Sequence, residues 1–222
     1  MQPGSLSEKL ELLLQISPNC WQAFTGKQKM TARRIILASA SPRRKELLAK
    51  AGFPVFEVVP SSADELAPGG VNVCRLALEN ACRKAHAVAE LHPDAFVVGA
   101  DTLIEFEHEA IGKPRDREDA VCTLCRLSGK SHFVTTGVCI CCRAVNLLIR
   151  FAETSTVEFL PFERAVAEEY TTLVPVLDKA GSYAIQDHGE MIIKKISGDY
   201  DNVVGLPATR LKEALEAALK VC

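Results

Sequence analysis

The stretch RRIILASASPRRKELLAKAGFPVFEVVPS, residues 33–61, predicts the fold of this chain. RRIILAS has the apolar run of a buried strand, and FPVFEVVPS has the β-branched and aromatic content of a second one. The segment between them is a helix, because Ser41 followed by Pro42 suits a helix start and Gly52 suits a helix stop. A strand, a helix and a strand in succession predict an α/β fold.

The same alternation continues to the end of the chain. Helical patterns cover 73–92, 117–129, 163–174 and 209–221, and strand patterns cover 95–106, 131–145, 147–162 and 191–196. Long hairpins and crossovers both occur, so we expect a mixed sheet flanked by helices. Residues 1–30 have a different character and are interpreted as an N-terminal extension, which leaves 31–222 as one domain.

The composition limits the classes of function. With 48% hydrophobic residues in 222, the chain can bury a substantial core. A formal net charge of −2 gives no general affinity for nucleic-acid backbones. The apolar stretches are strand-sized, well short of the roughly 20 residues that a membrane span needs. We therefore expect a soluble cytoplasmic protein that binds neither nucleic acid nor membrane.

The cysteines require a separate interpretation. Nine cysteines without a signal-peptide pattern indicate free thiols in a reducing compartment. Cys122, Cys125, Cys139 and Cys142 have a spacing similar to that of a zinc ribbon. However, the first pair lies on a predicted helix and the second on a predicted strand, where Cys139 and Cys142 point to opposite faces. We therefore expect no convergence of these four thiols, and the five histidines show no metal spacing.

The segment LASASPRR, residues 37–44, predicts an anion site. A strand that ends at a helix N-terminus presents free backbone N–H groups and the positive end of the helix dipole. Ser39 and Ser41 stand beside that terminus, and Arg43 and Arg44 lie in its first turn. Arginines there oppose the dipole, so they favour a bound phosphate, although a capped surface helix with solvated arginines is an open alternative.

Asp101 interrupts the apolar strand VVGADTLIEF. A carboxylate in a buried strand is costly unless it is paired or binds a metal ion. Asp64 and Glu65 follow the second strand and can converge with Asp101. Three carboxylates near a phosphate site suit Mg²⁺, which prefers oxygen ligands and substrate phosphates. Each of these acids alone is more typical of a turn or a cap.

Other candidate residues are individually weak. Lys84 and Lys113 add cations that in isolation are typical of solvated surfaces. Gln186 lies in a loop, DKAGSYAIQDHGE, where an amide could recognise a nucleobase through its donor and its acceptor.

Together these segments resemble the Maf family, which is also named for inhibition of septum formation. The resemblance extends from about residue 33 to the end and rests on six ordered motifs: LASASPRRKELL (37–48), GADT (99–102), GKPRD (112–116), LSGKSHFVTTGV (127–138), DKAGSYAIQ (178–186) and ISGDYDNVVGLP (196–207). It implies an elongated, twisted mixed sheet with a cleft between two lobes, as in inosine-triphosphate pyrophosphatases.

The resemblance also implies an activity. It makes Asp101 the general base of a nucleoside-triphosphate pyrophosphatase that uses Mg²⁺ or Mn²⁺, with Asp64, Glu65 and Asp101 as metal ligands, often in a homodimer. Some relatives carry Glu where this chain has Asp64. The cations and hydroxyls expected around the triphosphate are Ser39, Ser41, Arg43, Arg44, Lys84 and Lys113.

The resemblance further implies a substrate. Members of its dTTP/UTP branch carry SPRR, GADT and a glutamine, which correspond here to Arg43, Thr102 and Gln186. We therefore expect hydrolysis of dTTP and UTP to the monophosphate and pyrophosphate. The alternative is a non-catalytic nucleotide-binding regulator of cell division, and retention of Asp101 and Lys113 favours the enzyme.

Overall fold

The computed structural model describes residues 34–67 and 72–220. The predicted N-terminal extension, residues 1–30, lies outside the described residues. The strands are β1 (Ile35–Leu37), β2 (Glu57–Val58), β3 (Phe96–Phe106), β4 (Glu109–Ile111), β5 (Ser131–Cys142), β6 (Leu147–Phe159) and β7 (Ile193–Ser197). The α-helices are α1 (Pro42–Lys50), α2 (Val73–Leu91), α3 (Arg117–Leu127), α4 (Arg164–Leu173), α5 (Tyr200–Val204) and α6 (Ala208–Lys220).

The described strands form one mixed sheet in the order β2-β1-β3-β5-β6-β7. β1 pairs parallel with both β2 and β3, whereas β3, β5, β6 and β7 are joined by antiparallel pairs. β1 and β4 both pair with the same edge of β3, β1 along residues 96–98 and β4 along residues 104–106. The edge of β3 between these two partners is therefore open, and Asp101 and Thr102 lie in that gap.

Apolar packing divides the molecule into two lobes that share the long central strands. One core joins α1 and α6 to one half of the sheet, with Leu48 and Leu211 fully buried. A second core joins α3 and α4 to the other half, with Leu124 and Tyr170 fully buried. A third core lies between α2 and the opposite face of the sheet. The predicted α/β fold with a mixed sheet and two lobes is confirmed.

Two glycines set the distance between α2 and the sheet. A Cβ added at Gly99 would lie 2.4 Å from the Ala81 carbonyl oxygen, and one at Gly137 would lie 2.4 Å from the Ala77 carbonyl carbon. Any side chain at these two positions would displace the helix backbone. α2 therefore rests directly on β3 and β5, and residues on its inner face come within reach of both strands.

The structure differs from the sequence prediction at two strands. β2 has only two residues in strand conformation, and both are exposed. The β3–β4 hairpin was not predicted, because its turn residues, Glu107 and His108, carry none of the usual glycine or asparagine signals. Both adopt positive φ, 52° and 65°, which such residues seldom do.

The four cysteines with zinc-ribbon spacing do not converge, as predicted. Cys122 lies exposed on α3. Cys139 packs in the core under α2, whereas Cys142 packs in the core on the opposite face of the sheet. Within residues 34–67 and 72–220, no helix has the length and apolar character needed to cross a membrane.

Candidate functional site

A cavity of about 820 Å³ lies at the open edge of β3, between the two lobes. The N-terminus of α1 enters from one lobe, and the loop containing Asp178 and Gln186 enters from the other. Asp101 and Thr102 form part of its floor. Successive residues of a strand point to opposite faces, so Asp101 faces α2 while Thr102 faces the α1 side. The site thus collects groups from both faces of one strand.

Asp101 is 4% exposed and is held by two residues of α2. Lys84 Nζ lies 2.7 Å from Asp101 Oδ1, and Asn80 Nδ2 donates to Asp101 Oδ2 at 3.1 Å. Lys84 also contacts Glu65 Oε1 at 2.6 Å, and this hydrogen bond lowers the pKa of the Glu65 carboxyl. One ammonium group therefore joins two carboxylates, and the amide of Asn80 fixes the orientation of the buried one.

Asn80 also anchors the loop that carries Glu65. Its Oδ1 accepts a hydrogen bond from the backbone N–H of Leu66 at 2.8 Å. Asn80 was not predicted from the sequence. The available signal was a polar residue within the apolar stripe of α2, one turn before Lys84, where the other buried residues are alanine, leucine, valine and cysteine.

Arg44 is the second fixed charge of the cavity. Its Nε donates to Gly205 O at 3.0 Å, one terminal nitrogen to Ser39 Oγ at 3.3 Å and the other to Thr102 Oγ1 at 3.1 Å. All three partners are neutral oxygens, and no carboxylate of the described residues lies within 4.0 Å of the guanidinium. Burial lowers the pKa of Arg44, while the charge of Asp101 raises it. Arg44 is thus a positioned cation without a contacting counter-ion.

The predicted helix N-terminus is formed as expected. Ser41 caps α1 and accepts a hydrogen bond from the backbone N–H of Arg44 at 3.5 Å, and Pro42 is the first helical residue. Ser39 Oγ accepts from the Ser41 N–H at 3.2 Å. Arg43 is half-buried on the cavity wall. No acidic side chain lies in the first turn of α1, so its positive end faces the cavity unneutralised.

The structure brings most of the predicted site residues to this one cavity. Those that line it are Ser41, Arg43, Arg44, Glu65, Lys84, Asp101, Thr102, Lys113 and Gln186. Ser39 lies behind the cavity wall, where it supports Arg44. Asp64 is exposed and does not line the cavity, and among the described residues its carboxylate does not form a close group with those of Glu65 and Asp101. Lys113 and Gln186 are exposed at the rim.

Lys179 and Asp178 are further lining residues that were not predicted. Lys179 is 7% exposed and donates to the Pro175 carbonyl and to Asp178 Oδ1. Both Lys179 and Asp178 border the cavity near Gln186. The sequence offered only a charged pair in a polar loop, which is the ordinary composition of a solvated turn.

The carboxylates of the cavity provide part of the ligand set that a divalent cation needs. Glu65 and Asp101 present carboxylate oxygens to the same point, which Lys84 Nζ occupies. Two carboxylates beside a cationic phosphate site match the preference of Mg²⁺ for one or two protein carboxylates plus substrate phosphates. Asp64 is not part of this arrangement, so the fit involves Glu65 and Asp101.

A mixed α/β sheet with a buried carboxylate and a cationic helix N-terminus in one cleft defines a protein that binds a polyanionic ligand. Residues 34–218 match the family described as Maf-like protein. The chain therefore belongs to the Maf family.

Relatives support the same placement, and a solved structure has a similar fold. The chain is 45% identical over 181 residues to a protein of Akkermansia muciniphila named dTTP/UTP pyrophosphatase, covering 82% of this chain and 94% of that protein. A protein of Bacillus anthracis with the same name is 42% identical over 184 residues, covering 83% and 95%. The Ham1 protein of Staphylococcus aureus has a similar fold, with a TM-score of 0.51 and 17% identity over 84% of this chain and all of that one.

Proposed function

We propose that this protein is a nucleoside-triphosphate pyrophosphatase that hydrolyses dTTP and UTP to the monophosphate and pyrophosphate. The observation that carries the proposal is Arg44, a positioned guanidinium bonded only to neutral oxygens in a cavity that also contains a buried carboxylate. The relatives named dTTP/UTP pyrophosphatase support the same reaction and the same substrates.

The cations of the cavity account for polyphosphate binding. Arg43 and Arg44 stand at the N-terminus of α1, whose free N–H groups favour phosphate oxygens. Lys113 lies at the opposite rim. Forked guanidinium donors and a mobile ammonium group suit a chain of phosphates better than a single carboxylate ligand. These groups also stabilise the charge that builds up on the leaving pyrophosphate.

Asp101 is the proposed general base. Hydrogen bonds from Lys84 and Asn80 hold both carboxylate oxygens in place, and each oxygen retains a further lone pair. Water placed beside Asp101 would lose a proton to the carboxylate as its oxygen bonds to the α-phosphorus. The bond from that phosphorus to the bridging oxygen would break, so pyrophosphate leaves. Glu65 and Asp101 would hold Mg²⁺ or Mn²⁺, which supplies Lewis-acid neutralisation of phosphate charge.

Gln186 is the proposed reader of the base. Uracil and thymine present an N3–H donor between two carbonyl acceptors, and one amide side chain offers both complements. Gln186 is exposed and borders the same cavity as the cations, which supports a contact with the base of a nucleotide whose phosphates they bind. We further propose that the active unit is a homodimer, which light scattering of the purified chain would reveal as twice the chain mass.

Two measurements test the reaction. Purified protein should release pyrophosphate from dTTP and UTP faster than from GTP and ATP, in the presence of Mg²⁺. In water enriched in ¹⁸O, the label should enter the monophosphate, because attack occurs at the α-phosphorus. Label in inorganic phosphate would assign a different reaction, and nucleotide binding without turnover would favour the non-catalytic regulator.

Asp101→Asn should lower turnover by about 10²–10⁴-fold, the usual cost of losing a general base, while the fold is retained. Glu105→Gln is the matched control, since Glu105 lies on the same strand and face but outside the cavity. Near-normal activity of a folded Asp101→Asn protein would remove Asp101 from the catalytic role.

A further inference from the structure

Three thiols and one imidazole meet under α2, on the face of the sheet away from α1. Cys82 and His86 are one turn apart on α2, and Cys139 and Cys141 are two residues apart on β5. Both pairs have the spacing that points side chains in the same direction. The ligand atoms of His86, Cys139 and Cys141 all lie within 4.8 Å of one another.

Cys82 is the fourth potential ligand. It packs in the same buried cluster as Cys139 and Cys141, although it lies outside the group of three whose ligand atoms are all within 4.8 Å of one another. Cys82 is 8% exposed, Cys139 is fully buried and Cys141 is 3% exposed, whereas His86 is exposed. The cluster is therefore closed on the sheet side and open toward solvent at the imidazole, which gives a cation a route of entry.

We infer that Cys82, His86, Cys139 and Cys141 form a binding site for Zn²⁺. Three thiolates and one imidazole are a standard ligand set for structural zinc, which takes four ligands in a tetrahedron. Bonds of about 2.3 Å to sulfur and about 2.0 Å to nitrogen place such ligand atoms roughly 3.5–3.8 Å apart. The ligand atoms of His86, Cys139 and Cys141 lie within 4.8 Å of one another, so zinc binding would draw them together by up to about an ångström and bring Cys82 in as the fourth ligand.

Packing and charge both support the site. Gly99 and Gly137 let α2 rest on the strands, and a side chain at either position would push Cys82 and His86 away from β5. Zn²⁺ with three thiolates carries one net negative charge. Arg150 pairs in register with Cys139 on the neighbouring strand. Residues in register on neighbouring strands share a face of the sheet, so the positive charge of Arg150 favours an anionic zinc–thiolate cluster there.

The ion would tie α2 to the sheet. Asn80 and Lys84, which hold Asp101, lie on the same helix as Cys82 and His86. A bound zinc would therefore fix the position of the helix that orients the buried carboxylate. None of the four ligands lines the cavity, so the zinc site does not depend on the proposed pyrophosphatase activity.

The test uses the full chain, reduced with a phosphine and stripped with a chelator, in excess Mg²⁺ to occupy oxygen-ligand sites. After addition of Zn²⁺ and dialysis, elemental analysis should find one zinc per chain. Co²⁺ in place of zinc should give the strong charge-transfer absorption of thiolate ligation. No retained zinc, or a cobalt spectrum without that absorption, would overturn the site.

Variants identify the ligands. His86→Ala alters an exposed residue, so the fold should survive while zinc affinity falls by about a hundredfold or more. Cys139→Ser should have the same effect. Cys142→Ala, which removes a buried thiol of the same strand on the other face, and Cys122→Ser, on α3, should bind zinc like the parent. Equal affinity of His86→Ala and the parent protein would contradict the assignment, as would loss of zinc in Cys122→Ser.

Discussion

Replacing Arg44 with methionine should lower kcat/KM strongly while it changes the free energy of unfolding little. A guanidinium has five N–H donors, and three of those of Arg44 are bonded to Gly205, Ser39 and Thr102. Two donors, one on each terminal nitrogen, are left for the ligand. A hydrogen bond to a charged partner contributes about 1.5–3 kcal/mol, so two such bonds correspond to about 10²–10⁴-fold in kcat/KM.

The folded state should tolerate this change. Methionine matches the length of the arginine stem and removes a cation that has no contacting carboxylate among the described residues. The hydroxyl of Thr102 keeps its hydrogen bond with Thr136, 2.9 Å between the oxygens. We expect the free energy of unfolding to fall by less than about 2 kcal/mol, because the acceptors left behind are neutral and the desolvated charge is gone.

The assay is steady-state pyrophosphate release from dTTP together with urea denaturation of the same preparations. Lys45→Met is the matched control, since it removes one positive charge from the exposed face of α1 outside the cavity. The reasoning is refuted if Arg44→Met retains kcat/KM within about threefold of the parent, or if Lys45→Met loses as much activity. Arg44→Lys should recover only part of the loss, because an ammonium group cannot make the three anchoring bonds and still present two donors.

Three further predictions concern stability and specificity. Burial lowers the pKa of His132 to about 4. The native protein should therefore be most stable above the unfolded pKa of about 6.5, and its free energy of unfolding should fall by about 3 kcal/mol as the pH drops from there through about 4. Urea denaturation at several pH values should show that the free energy of unfolding of His132→Gln depends less steeply on pH. The same slope in both proteins would exclude His132 as the cause. Gly137→Ala should destabilise the fold by about 1–3 kcal/mol or more, because its Cβ would overlap the backbone of Ala77; a melting temperature equal to that of the parent would contradict the close contact. Gln186→Glu should lower the activity on dTTP and UTP by about tenfold to a hundredfold and shift the preference towards GTP, because guanine presents adjacent donors that suit a carboxylate. If a nucleotide panel shows the same ratios of activity as the parent protein, Gln186 does not recognise the base.

Much of the candidate site could be predicted because its strongest signals are local. The strand, the capping serine and the paired arginines of α1 are contiguous, and a strand that ends at a helix N-terminus is a geometry that favours anions. Asp101 was detectable because a carboxylate in an apolar strand violates the ordinary pattern of burial. Asn80, Lys179 and the β3–β4 hairpin were missed, because a single polar residue in a helix or an atypical turn has no distinctive local pattern.

The sequence by itself determined the order and type of the main helices and strands, since apolar periodicity and capping residues act over a few positions. It also determined that the cysteines at 122, 125, 139 and 142 cannot converge, because strand geometry separates the last two. Only the tertiary structure decided which distant groups meet. Lys84 reaches both Glu65 and Asp101, and His86 reaches Cys139 and Cys141, because two glycines let α2 rest directly on the sheet. Such contacts depend on the distance between packed elements, which no local pattern of residues specifies.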